Sequence, residues 1–200
     1  MATPILITPP ALEPVTLAEA RLHLRISDDD TSYDSRILTM IEAARHAAEH
    51  ELHRKIMAQT WDFFYDCFPP NGVAINVHGD LAPLDSVTRI SYLDTTGSVR
   101  TVPSSGYVSD PYSLPGYIFP AAGVNWPADV ADSANAVRIR IVCGEWSVAS
   151  DVPATIRQWM LMQVGTMFRN AESIASGQPV AALPGNFVDR LLDPYRVWTL

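Results

Sequence analysis

The stretch Ile41-Glu42-Ala43-Ala44-Arg45-His46-Ala47-Ala48-Glu49-His50-Glu51-Leu52 is followed closely by Gln59-Thr60-Trp61-Asp62-Phe63-Phe64-Tyr65-Asp66-Cys67-Phe68, and the hydrophobic period changes between them. In the first, with Ile37 ahead of it, apolar residues fall at 37, 41, 44, 48 and 52. Those steps place them on one face of a helix, which predicts a helix from about Thr31 to His53. The second alternates and is rich in aromatic residues, as a half-buried strand is. Pro69-Pro70-Asn71-Gly72 closes it.

Working outward, residues 59–145 keep the β character, broken by Pro and Gly. Short strands are predicted at Val73–Val77, Val87–Leu93, Val99–Val102, Tyr107–Asp110, Tyr117–Pro120 and Ala136–Cys143. Asp94-Thr95-Thr96-Gly97 reads as a hairpin turn. In Arg138-Ile139-Arg140-Ile141 the strict alternation puts both arginines on one exposed face.

Towards the N-terminus, Thr16 and Glu19 form a capping box for a short helix reaching about Leu24. Asp28-Asp29-Asp30 separates it from the next helix and suits that helix's positive end. Residues 1–14 are Pro-rich and apolar, an extended arm. Towards the C-terminus, Asp151 as N-cap and Pro153 in the first turn start a helix to about Asn170. Its apolar residues run nearly all round, so it is either central to the core or covered by a second subunit. Trp159, Met162 and Met167 are the candidate contacts of such a subunit face. Ser173–Leu183 reads as a mobile loop, and Gly185 to Asp193 as a last short helix stopped by Pro194. The tail Tyr195-Arg196-Val197-Trp198-Thr199-Leu200 is unusually apolar and suits a groove on another molecule.

The expected fold is therefore α+β: a helical bundle formed by the N- and C-terminal helices, with an inserted β-rich module. Residues 1–58 supply the arm and first helices, 59–147 the insert, and 148–200 the closing helices and tail.

Composition limits the function. The 200 residues carry a net charge of −8, which provides no basic footprint for gripping nucleic acid. Of the 14 basic residues only Lys55 is a lysine. An arginine-dominated set fits extensive protein contact, and fits a GC-rich genome equally. No apolar run is long enough to span a membrane, and the N-terminus lacks the pattern of a signal peptide. Cys67 and Cys143, both in predicted strands, are expected as reduced, buried thiols of a protein made in a cytoplasm.

Catalytic chemistry finds little support. His46, His50 and His53 share one helix, but His50-Glu51-Leu52-His53 is one residue short of the zincin spacing His-Glu-x-x-His. Asp28-x-Asp30-x-Ser32-x-Asp34 begins like a calcium loop, then has Tyr33 where glycine is needed and Thr39 where glutamate is needed. Phosphate-loop, nucleophile-elbow and dinucleotide motifs do not occur. No enzyme, catalytic residue, metal or cofactor is expected.

Six motifs in order resemble phage head–tail connector proteins, also called adaptor or head-completion proteins, including those of gene transfer agents. They are Glu13-Pro14-Val15-Thr16-Leu17-Ala18-Glu19-Ala20-Arg21-Leu22-His23-Leu24-Arg25-Ile26 before the acidic cluster, Gln59-Thr60-Trp61-Asp62, and Pro83-Leu84-Asp85-Ser86-Val87-Thr88-Arg89-Ile90-Ser91-Tyr92-Leu93-Asp94. Pro115-Gly116-Tyr117-Ile118 with Trp126-Pro127, Val152-Pro153-Ala154-Thr155-Ile156-Arg157-Gln158, and Leu191-Leu192-Asp193-Pro194-Tyr195-Arg196 complete the set.

The resemblance implies a structural ring below a twelve-fold portal, in the neck of a virion or phage-like particle made in the bacterial cytoplasm. Its partners would be the portal protein, further copies of itself, and a stopper or other neck or tail protein. DNA would pass through the channel without specific binding, helped by repulsion from acidic subunits, with Asp28 to Asp30 as candidate lining. The resemblance also points to a portal-docking tail, here Pro194, Tyr195, Arg196, Trp198 and Leu200. Another neck role, stopper or tail completion, is the alternative within the particle. A small metal-dependent hydrolase using His46, His50 and His53 is the alternative outside it.

Overall fold

A computed structural model describes residues 4–70, 72–74, 82–114, 116–170 and 190–197. Among the described residues the fold is α+β, with three α-helices and two antiparallel sheets. The chain divides into two compact units. One comprises Met1–Ala11 and His53–Glu145, the other Leu12–Leu52 and Trp146–Leu200.

The first unit is a sandwich. Its larger sheet has the order β1-β2-β8-β4-β5, from strands β1 (Ile5–Thr8), β2 (Gln59–Tyr65), β4 (Leu84–Leu93), β5 (Val99–Val102) and β8 (Val137–Cys143). Its smaller sheet has the order β3-β7-β6, from β3 (Val73–Ala74), β6 (Tyr107–Asp110) and β7 (Tyr117–Pro120). Alternation decides what lies between them. Phe63, Ile90, Val137, Ile139, Ile141 and Cys143 from the larger sheet meet Val73 and Ile118 from the smaller in one buried cluster. The hairpin at Asp94 forms as its sequence predicts. Gly97 adopts φ +82°, and the Asp94 carboxylate accepts the amides of Thr96 and Ser98 at 2.9 Å each.

Gly144 is the tightest backbone approach in this unit. Its φ is +110°, and a Cβ built there would lie 2.2 Å from the carbonyl oxygen of Met57. Only glycine tolerates both conditions.

In the second unit, α1 (Leu17–Leu24) carries the expected capping box. Thr16 accepts the Glu19 amide at 3.2 Å, and Glu19 accepts the Thr16 amide at 2.9 Å. α2 (Asp34–Leu52) buries the predicted stripe Ile37, Ile41, Ala44, Ala48 and Leu52. α3 (Ala154–Arg169) buries Ile156, Trp159, Met160 and Val164. Each of the three helices contacts the other two.

Several local expectations change. The N-terminal arm is extended, but it is also paired: β1 joins β2 with the register Ile5 to Asp62. Strand β2 stops at Tyr65, so Cys67 lies beyond it and is exposed, whereas Cys143 is buried. Arg25 in the left-handed conformation, φ 59°, caps α1 rather than the acidic turn. Asp30 accepts the amide of Ser32 at 3.0 Å, and α2 begins only at Asp34. Asp151 lies in a 3-10 turn, and Pro153 is the residue that caps α3. The expected loop 173–183 and most of the helix 185–193 lie outside the described residues. Among the described residues, no helix is long and apolar enough to cross a membrane.

Candidate assembly surfaces

The outer face of the larger sheet holds a charge cluster built by register alone. Ile5, Asp62, Arg140 and Arg89 are successive partners across β1, β2, β8 and β4, so they form one row. Phe64, Arg138, Ser91 and Thr101 form the next row. Asp62 is wholly buried at its side chain. It accepts Arg140 Nε at 2.8 Å and Nη2 at 3.0 Å, and Arg138 Nε at 2.7 Å as well as Nη2. Burial raises the Asp62 pKa, but the bonds from Arg140 and Arg138 outweigh it and hold the carboxyl below its ordinary value. The two arginines do share a face as alternation predicts. They are half-buried by this pairing rather than free in solvent. Sequence reading passes over Asp62, because a single acid in an aromatic strand gains meaning only from the strand opposite.

The C-terminal segment is seated on its own unit. Leu192 and Val197 are buried, and the Val197 amide donates to the Leu52 carbonyl at 2.9 Å. Arg196 donates to the Glu51 carbonyl at 2.8 Å and pairs with Glu51 at 3.3 Å and Asp193 at 3.5 Å. The Tyr195 ring meets Trp146 edge-on at 6.5 Å. The apolar tail, read as suited to a groove on another molecule, thus finds partners on its own chain as far as Val197, at the end of α2. Pro194 is exposed, and Tyr195 and Arg196 are half-buried. Trp198 and Leu200 lie outside the described residues.

On α3, Trp159 is 3% exposed, buried within its unit, while Met162 and Met167 are half-buried. Asp28, Asp29 and Asp30 are exposed. Hydrogen bonds from Ser27 and Ser32 hold the Asp29 and Asp30 carboxyls below their usual range. Both therefore carry full charge at neutral pH.

His46 is exposed and lies 3.8 Å from Glu42. Glu49, a second glutamate of that helix, is buried beside Arg45 at 3.4 Å. His53 falls past the end of α2 with φ 52°. Among the described residues, no three His, Cys, Asp or Glu side chains gather as metal ligands. A cleft of about 460 Å³ opens beside Trp126, which stacks on Phe68 at 4.8 Å. Its walls are mostly proline, aromatic and aliphatic, with Cys67 the one nucleophile among them.

Residues 14–78 match the family model of the phage gp6-like head-tail connector protein. Over those residues the chain is similar to gp6-like connectors. That segment spans α1, α2 and β2, and it contains the capping box and Asp62. The likeness of fold extends further than the segment. A chain from the neck of an empty gene transfer agent particle, computed with C6 symmetry, superposes with a TM-score of 0.77 at 19% identity. That comparison covers 100% of this chain and 97% of the other. A chain from the virion of a native gene transfer agent particle gives 0.74 at 19% identity, again over 100% and 97%. One from the neck of the native particle, computed with C12 symmetry, gives 0.70 at 20% identity, over 98% and 97%. No curated protein matches this chain.

Proposed function

We propose that the chain is a structural head–tail connector in the neck of a phage-like particle, where copies form a ring below the portal and extend the DNA channel. The observation that carries this reading is the connector-segment match at residues 14–78 joined to full-length likeness with neck chains. The symmetries of those neck structures, C6 and C12, favour a ring of copies. The stopper or tail component below it would be the next partner. On this reading the chain has no catalytic duty, and its geometry serves assembly.

The net charge of −8 suits a conduit, since acidic walls repel phosphates and leave duplex DNA free to slide. The C-terminal segment is the proposed portal contact, with Pro194 exposed beside Tyr195 and Arg196 and with Trp198 and Leu200 following. Met162 and Met167 on α3 are proposed contacts between copies, with Trp159 supporting the helix from within.

The test mixes the purified chain with the portal of the same gene cluster and images the product by electron microscopy. Because Arg196 and Val197 hold α2, the informative truncation removes only residues 198–200. A ring stacked on the portal and weakened by that truncation supports the reading. No ring with either chain would refute the portal position, and a neck structure with the chain elsewhere would assign it to a stopper or tail-completion role.

A further inference from the structure

The outer face of the larger sheet carries an unbalanced set of charges. In its two paired rows, among the described residues, three guanidinium groups, Arg89, Arg138 and Arg140, stand with one carboxylate, Asp62. That carboxylate is saturated, because Arg138 and Arg140 supply four hydrogen bonds to its two oxygens. Arg89 is exposed and sits directly across the ladder from Arg140. Like charges at opposed ladder positions destabilise a sheet. The pairing therefore leaves an excess of positive charge on a chain whose total is −8.

The surroundings of the patch describe its partner. Ile5 at one edge of the sheet is 51% exposed, and Val99 at the other is 75% exposed. Phe64 lies under the Arg138 guanidinium at 5.9 Å. Arginine with apolar and aromatic neighbours, and no lysine, is the composition of a protein contact. A nucleic-acid face would instead need cations spread along a phosphate track. A closed ring requires two different patches on each copy that complement one another. In a strongly acidic chain, a positive patch can offset repulsion between copies.

We infer that the Arg89–Arg138–Arg140 face docks against an acidic surface of a second copy of this chain, as one side of the contact between neighbours in the ring. This inference rests on the connector reading above.

The test uses Arg89, whose exposure lets it change without disturbing the core. In R89E, ring formation on the portal should fall at least tenfold, while R25E, an exposed reversal of equal charge at the end of α1, should leave it near the wild-type level. R89K should assemble, more weakly as salt rises. Lys55 is the natural lysine of the chain, so R89K adds one new amine. Treating assembled R89K with a zero-length carbodiimide should join Lys at position 89 to a carboxylate of another copy, identified by peptide mass. Cross-linking to the portal or another neck protein instead would overturn the inference. So would R89E rings as abundant as wild type, and so would normal R89E rings that had lost retention of DNA. If the wild-type chain forms no ring on the portal, the connector reading itself fails, and this inference falls with it.

Discussion

Asp62 and Arg140 face each other across β2 and β8, with Nε of the arginine 2.8 Å from a carboxylate that has no exposed side-chain surface. The pair is made by strand register, and a second arginine, Arg138, closes on the same carboxylate from the next outward position. Replacing Asp62 by Asn would keep the shape and remove the charge, leaving two half-buried guanidiniums side by side. The expected cost is about 2–3 kcal/mol, less than for a fully buried pair because the arginines keep some solvent. The shift of the urea midpoint at pH 7 measures it.

The same carboxylate should appear in the acid limb of stability. Its folded pKa lies below the unfolded value. Its contribution is thus complete above roughly pH 4 and is lost as pH falls through the folded pKa. In D62N that contribution should be absent. Stability of wild type and variant should converge as pH drops below about 4, read from urea midpoints between pH 7 and pH 2.5. Parallel curves over that range would contradict this account of the cluster.

Gly144→Ala should destabilise by more than about 2 kcal/mol, because it combines a left-handed φ with a collision against the Met57 carbonyl. Gly97→Ala is the comparison: a Cβ there meets nothing within 4 Å, so only the backbone strain at φ +82° remains, about 1 kcal/mol. Thermal melts of both variants separate the two contributions.

Thr16→Ala should remove one half of the capping box and cost about 1 kcal/mol. Thr16→Ser should retain nearly all of the stability, since its hydroxyl can accept the same amide. Chemical denaturation of the two variants checks the ordering.

Thiol titration should find one reactive cysteine in the native chain and two after unfolding. Cys67 is exposed beyond β2, whereas Cys143 is buried between the sheets. Cys67→Ser should abolish the native reaction. A persisting fast reaction in that variant would place Cys143 at the surface.

Elements governed by a local period were legible from the residues. The stripe from Ile37 to Leu52 and the alternation of Val137 to Cys143 each name their own buried face. The capping box and the Asp94 turn were legible because the partners lie within four residues of each other. What escaped was everything that needs a distant partner. Ile5 to Thr8 looked like an arm because nothing in Ile-Leu-Ile-Thr reveals that β2 will accept it. Arg196 looked like part of a free tail, because its partner Glu51 stands 145 positions away. Asp62 was hidden for the same reason, with its arginines 76 and 78 positions on. The candidate surfaces were therefore half visible: Arg138 and Arg140 were placed on one face, but neither the acid they share nor Arg89 across from them could be found without the register.

Neither compact unit is a continuous piece of chain: the path runs from the strands into the helices after Ala11, returns after Leu52 and leaves again after Glu145. A ribosome making this protein would deliver all the described strands before it delivered α3. The sandwich could close once β8 had emerged, while Ile37, Ile41 and Ala44 on α2 waited for the helix that covers them. A nascent chain halted near Glu145 would thus hold a finished half and a sticky half. Completion of the C-terminal quarter would then act as a checkpoint on the fold.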